Sequence, residues 1–149
     1  MKNVFFPVML GSLLVGVAGM AFAHFHDERD GESVRVISAQ DIQEKLDGRE
    51  AAVTAVEVTI EAGQAGVPHR HPGPGLVYVL EGTYELGIDD QPTKLYKAGE
   101  TFYEPTGCLH RVSRNPSATG RTRLIAFVLH PREAKEIAVP EKSAPDHGK

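Results

Sequence analysis

The sequence contains no tryptophan and a single cysteine, Cys108. One thiol cannot close an intramolecular disulfide, so the fold must rest on an apolar core. Clustered basic charge is missing as well. Sixteen Lys and Arg are scattered against 20 Asp and Glu, for a formal net charge of -4. A phosphate backbone needs concentrated positive charge, so the composition argues against nucleic acid as a partner. No internal repeat is visible, which disfavours a propeller or a duplicated domain. No segment carries the spacing of a long amphipathic helix. Beyond residue 23, no apolar run approaches the ~20 residues that span a bilayer.

What is present suits a single domain of 149 residues, 41% hydrophobic and 24% charged, which is enough apolar material for a core. Fifteen Gly and ten Pro point to many turns between short elements. The N-terminus follows a different pattern. Lys2 precedes a mostly apolar stretch from Val4 to Ala18, and Ala21-Phe22-Ala23 places small residues where a signal peptidase reads them. Charge then begins at once, with His24, His26, Asp27, Glu28 and Arg29. This is the layout of a secretory signal peptide over residues 1–23. It implies a periplasmic or secreted protein with no membrane association after cleavage. Residues 24–32 read as a flexible polar segment. Cleavage would leave His24-Phe25-His26 at the new terminus, able to chelate Cu(II) through amine, amide and ring nitrogens, although a loose tail is the simpler expectation.

From Ser33 onward the pattern is β. Val34 and Val36 alternate with Arg35, which predicts a strand over Ser33–Ser38 at the edge of a sheet. Asp41–Leu46 reads as one helical turn, ended by Asp47-Gly48. Ala52–Ile60, Leu76–Leu80, Thr83–Ile88, Thr93–Tyr96, Thr101–Glu104, Leu109–Ser113 and Arg123–Leu129 read as further strands. They are separated by turn signals such as Glu81-Gly82, Asp89-Asp90, Ala98-Gly99 and Pro105-Thr106-Gly107. Roughly eight or nine short strands at this spacing predict an all-β sandwich or small barrel over residues 33–130. Residues 131–149 read as a loose, charged tail.

The residues suited to chemistry are histidines. His69 and His71 lie two apart, and on a strand such residues share a face. By themselves they would pass for exposed loop residues beside Pro68 and Pro72. His110 changes the balance, because it follows a Pro-Thr-Gly turn that can return it to the first pair. Three imidazoles suit Fe, Cu, Zn or Ni and leave positions open for water or substrate.

The spacing around these histidines resembles the cupin superfamily. The family's first motif runs Gly, five residues, His-x-His, three or four residues, Glu, six residues, Gly. Here Gly63 is followed by five residues, His69-Arg70-His71, then Pro72-Gly73-Pro74, Gly75 in place of the Glu, and Gly82 after six more. The second motif runs Gly, five residues, Pro-x-Gly, two residues, His, three residues, Asn. Here it is Gly99, Pro105-Thr106-Gly107 and His110, with Arg114 at the Asn position and Asn115 one step late.

The resemblance implies a double-stranded β-helix, or jelly-roll barrel, holding one divalent metal on His69, His71 and His110. Fe(II) is favoured, with Mn, Zn, Cu or Ni also suited. Because Gly75 offers no ligand, the resemblance implies a three-histidine site, more open than the four-ligand form, with a gap where the Glu would stand. Some cupins use such iron centres to oxidise small molecules with dioxygen. The reading is therefore a metal-dependent dioxygenase or related oxidoreductase acting on a small organic molecule. The alternative is a non-catalytic module that binds a small molecule or a metal. The resemblance also implies a homodimer paired through the Ser33–Ser38 edge.

Glu104, at a strand end near the Pro105 turn, is the candidate general base, able also to orient a histidine or bind the metal, although strand-end acids are usually exposed. Cys108 shares the strand parity of His110 and either lines the site or packs as a small apolar residue. Tyr78 and Tyr103 could contact substrate but read more simply as core. His130 reads as a surface residue.

Overall fold

A computed structural model describes residues 27–29 and 31–141. The expected signal peptide, His24 and His26, and residues 142–149 lie outside the described residues. Among the described residues there are strands and no helix. In chain order they are β1 (Asp27–Arg29), β2 (Glu32–Leu46), β3 (Arg49–Ile60), β4 (His69–Arg70), β5 (Gly75–Glu81), β6 (Thr83–Ile88), β7 (Lys94–Lys97), β8 (Thr101–Glu104), β9 (Leu109–Arg114), β10 (Thr122–Pro131) and β11 (Val139–Pro140). They form two antiparallel sheets, ordered β1-β2-β3-β10-β5-β8 and β11-β4-β9-β6-β7. This is an all-β jelly-roll arrangement.

The core follows from alternation along the strands. In β5, Val77 and Val79 are buried while Leu76, Tyr78 and Leu80 face out. In β10, Leu124, Ala126 and Val128 are buried in the same two-residue rhythm. Val56 and Ile60 of β3, Tyr84 and Leu86 of β6 and Phe102 of β8 complete one apolar cluster between the sheets. Tyr84 stacks on Phe102 at 5.5 Å and donates its buried hydroxyl to Ser113 Oγ at 2.8 Å, which satisfies its one polar atom.

Several expectations need correction. Asp41–Leu46 is not a helical turn but the second half of β2, paired with β3 from Asp41↔Ala52 to Leu46↔Arg49. Asp47 and Gly48 both have positive φ (50° and 78°), the backbone of a tight hairpin turn that commits both flanks to pairing. The expected edge strand is longer than Ser33–Ser38, and its outer edge is partly covered, because β1 pairs with Glu32–Val34. The C-terminal segment is not loose over its described length. β11 pairs with β4, Val139 opposite Arg70 and Pro140 opposite His69, and Ile137 packs against the core.

Candidate metal centre

The three histidines meet at one end of the smaller sheet. His69 of β4 is the direct cross-strand partner of His110 of β9. His71 follows β4 by one residue. The turn at Pro105–Gly107 is tied to this segment: Gly107 N donates to the His71 carbonyl at 3.1 Å, and the Arg70 guanidinium donates to the Gly107 carbonyl at 2.8 Å. Two stretches far apart in sequence are thus pinned together. The ring centroids form a near-equilateral triangle, with sides of 4.9, 4.6 and 4.9 Å. One ligand atom from each ring lies within 4.8 Å of the others.

Backbone carbonyls set the ring orientations. His69 Nδ1 donates to the Val67 carbonyl at 2.9 Å, and His71 Nδ1 donates to the Ile137 carbonyl. A carbonyl can only accept, so each Nδ1 carries the proton and each Nε2 keeps a free lone pair. Such outer partners are typical of histidines that hold metals. The segment read as a tail therefore supplies part of the site.

Glu104 is not an exposed strand end. It is 3% exposed and on the same face of β8 as Phe102. Its Oε2 lies 3.6 Å from His71 Nε2 and its Oε1 3.7 Å from His110 Nε2. It also stands directly across from Gly75 in the β5–β8 pair. The gap expected at Gly75 is not open: a Cβ built there would come within 2.4 Å of Glu104 Oε2. The Glu104 carboxylate fills that space.

The acid–histidine contacts have the spacing of ion pairs, yet burial drives both partners towards neutrality. It pushes Glu104 up to about 8. It lowers His71 to about 4 and His110 to about 3, and lowers His69 as well. The contacts are therefore neutral ones without a cation. Two buried atoms among the described residues, His110 Nε2 and Glu104 Oε2, have no hydrogen-bond partner. Leaving buried polar atoms unpaired is costly. A divalent ion would satisfy both, and it favours the ionised carboxylate and the neutral imidazole together. The donor set thus fits a divalent metal.

Other candidates lie elsewhere or are inert. Cys108 is buried, and burial foremost, with the Glu104 charge next, raises its thiol to about 11, so it packs as a protonated thiol. Tyr78 and Tyr103 are neither core nor site, being 43% and 62% exposed on the outer sheet face. His130 is not at the surface. It is 6% exposed, with Nδ1 donating to the Pro131 carbonyl at 2.9 Å and Nε2 accepting from Thr54 Oγ1 at 2.9 Å. Both its nitrogens are engaged. Asn115 is buried, with its amide shared among the carbonyls of Ile60, Glu61 and Gly120. It ties a loop and does not contribute to the site.

Residues 56–128 match the family described as cupin domain. No curated protein matches the sequence. Among solved structures, the chain is similar to the polyketide cyclase RemF from Streptomyces resistomycificus, at 21% identity and a TM-score of 0.54, over 78% of this chain and 75% of that one. It is similar to Bacillus subtilis oxalate decarboxylase, a protein with Mn(II) centres, at 20% identity and a TM-score of 0.56. That match covers 76% of this chain but only 29% of the decarboxylase. A cupin-like protein from Thermotoga maritima matches at 15% identity and a TM-score of 0.54, over 75% of this chain and 77% of that one. At these identities the structural likeness establishes the fold alone.

Proposed function

The chain belongs to the cupin superfamily, and on that premise we propose that it is an exported oxidoreductase that binds a divalent metal through His69, His71 and His110 and acts on a small organic molecule, as a three-histidine Fe(II) dioxygenase or a related enzyme. The observation that carries this reading is the convergence of three imidazoles, with His110 Nε2 and Oε2 of the adjacent Glu104 both buried and unpartnered among the described residues. When bound, the ion would supply Lewis-acid or redox chemistry. The chain's own groups do the rest. The carbonyls of Val67 and Ile137 hold His69 and His71 with their Nε2 lone pairs free. The burial of His110 and Glu104 keeps bulk water away from the centre. Glu104 touches two of the imidazoles, where a carboxylate can orient a ring, move a proton or hold the ion. Mn(II) is a second suitable ion, supported by the likeness to the decarboxylase.

Oxygen uptake tests the reading. Protein loaded anaerobically with Fe(II) should consume dioxygen in the presence of some small diketone or thiol. Uptake with none of them, under Fe(II) or Mn(II), would favour the non-catalytic binding module. Export rests on Lys2, the apolar stretch and Ala21-Phe22-Ala23. N-terminal sequencing of exported protein should read His-Phe-His, and retention of Met1 would contradict it. A homodimer is supported by the edge of β2 beyond Val34, which has no strand partner among the described residues, and by the outward row Phe127–Leu76–Tyr103 across three strands. A monomer in light scattering at high concentration would contradict it.

A further inference from the structure

The first motif lacks its carboxylate, and the structure contains a carboxylate that no motif requires. Gly75 occupies the motif position, and Glu104 is its cross-strand partner on β8. The two positions share one space. A Cβ at residue 75 would lie 2.4 Å from Glu104 Oε2, 3.3 Å from its carboxyl carbon and 3.4 Å from its Cβ. A side chain at 75 and the present Glu104 rotamer are mutually exclusive. Glycine at 75 is what allows the acid to reach inward.

We propose that Glu104 is a protein ligand of the metal, delivered from β8 into the space that a side chain at position 75 would otherwise fill. Two donors held about 2.0–2.2 Å from one ion stand roughly 3–3.6 Å apart when adjacent in the coordination shell. The separations from Glu104 to His71 and His110 are 3.6 and 3.7 Å, at and just beyond the upper end of that range. Its two carboxylate oxygens face different histidines, Oε2 towards His71 and Oε1 towards His110. Oε2 is buried and has no hydrogen-bond partner among the described residues, which leaves it available to a cation. The centre is then three histidines and one glutamate, with the glutamate exchanged between neighbouring strands. It is less open than the first motif alone implies.

This inference rests on the metal-site reading above, and one experiment separates the two. Co(II) binding to the full exported chain is measured by equilibrium dialysis, with the visible spectrum of the bound ion as a readout of its ligands. Circular dichroism checks that each variant is folded. The parent should bind one Co(II). Glu104→Gln keeps the shape of the side chain and should weaken binding by at least about 10-fold, the smaller loss typical of even outer-shell partners, and should shift the spectrum. Gly75→Glu alone should bind poorly or misfold, because two side chains compete for one space. The exchange variant Gly75→Glu with Glu104→Gly should recover affinity to within a few fold of the parent. A Glu104→Gln variant with the parent's affinity and spectrum overturns the fourth ligand and leaves the three-histidine site standing. A folded parent that binds no Co(II) overturns both.

Discussion

Removing the metal should give the protein a stability optimum near pH 6.5, with an alkaline limb owed to one residue. Glu104 has an ordinary value of 4.5 and is raised by burial to about 8. Between those values the folded chain holds a proton that the unfolded chain has released. Each such proton costs ~1.4 kcal/mol of stability per pH unit as pH rises, a total on the order of 5 kcal/mol by pH 8. The histidines act in the other direction. His71 and His110 are lowered from 6.5 to about 4 and about 3. Below pH 6.5 the unfolded chain therefore binds two more protons, and stability falls as pH drops. Those two protons outweigh the one on Glu104 on the acid side, and the lowered value of His69 adds to them. Above 6.5 only Glu104 remains, and Cys108, raised from 9.0 to about 11, enters later. The assay is urea unfolding of chelator-treated protein between about pH 5 and 8.5. Stability should fall by ~1.4 kcal/mol per unit between 6.5 and 8, and Glu104→Gln should flatten that limb. Equal stability at 6.5 and 8, or an alkaline limb that survives in Glu104→Gln, would refute the assignment of a buried neutral acid at this position.

Two further predictions concern the scaffold. Ile60 is fully buried in the inter-sheet cluster, so Ile60→Ala should lose about 2–5 kcal/mol in urea unfolding while metal stoichiometry stays at the parent's. Asn115→Ala should lose about 2–3 kcal/mol, since its amide serves the carbonyls of Ile60, Glu61 and Gly120 and its Oδ1 accepts from Ser117 N. Asn115→Asp, which keeps the shape but loses the donors, should lose nearly as much.

Most strands were legible because turn residues punctuate alternating apolar runs, as at Glu81-Gly82 and Asp89-Asp90. The second half of β2 was not. Ile42 and Leu46 stand four apart among helix-forming residues, and only pairing with β3 across the Asp47-Gly48 turn overrides that local preference. The histidine cluster was legible from the His69-Arg70-His71 pair, the turn before His110 and the resemblance to the cupin motifs. Glu104 was a candidate for the site, but its burial was not legible, because a carboxylate at a strand end is usually solvated. The signal against that was two residues away: Phe102 must face the core, so Glu104 on the same short strand faces it too. The burial of His130 follows from the same parity with Val128, but its contact with Thr54 depends on which strands are neighbours. The role of Ile137 depends on β11 returning to β4, a long-range pairing of two residues that carries no local pattern.

The central claim is that His69, His71 and His110 hold one divalent ion. It is tested most directly by metal analysis of purified parent protein beside His110→Ala and His130→Ala, each checked for folding by circular dichroism. The account predicts one ion per chain in the parent and in His130→Ala, whose ring is already satisfied inside the larger sheet, and none in His110→Ala. A folded His110→Ala variant that retains the parent's full complement of metal would contradict it.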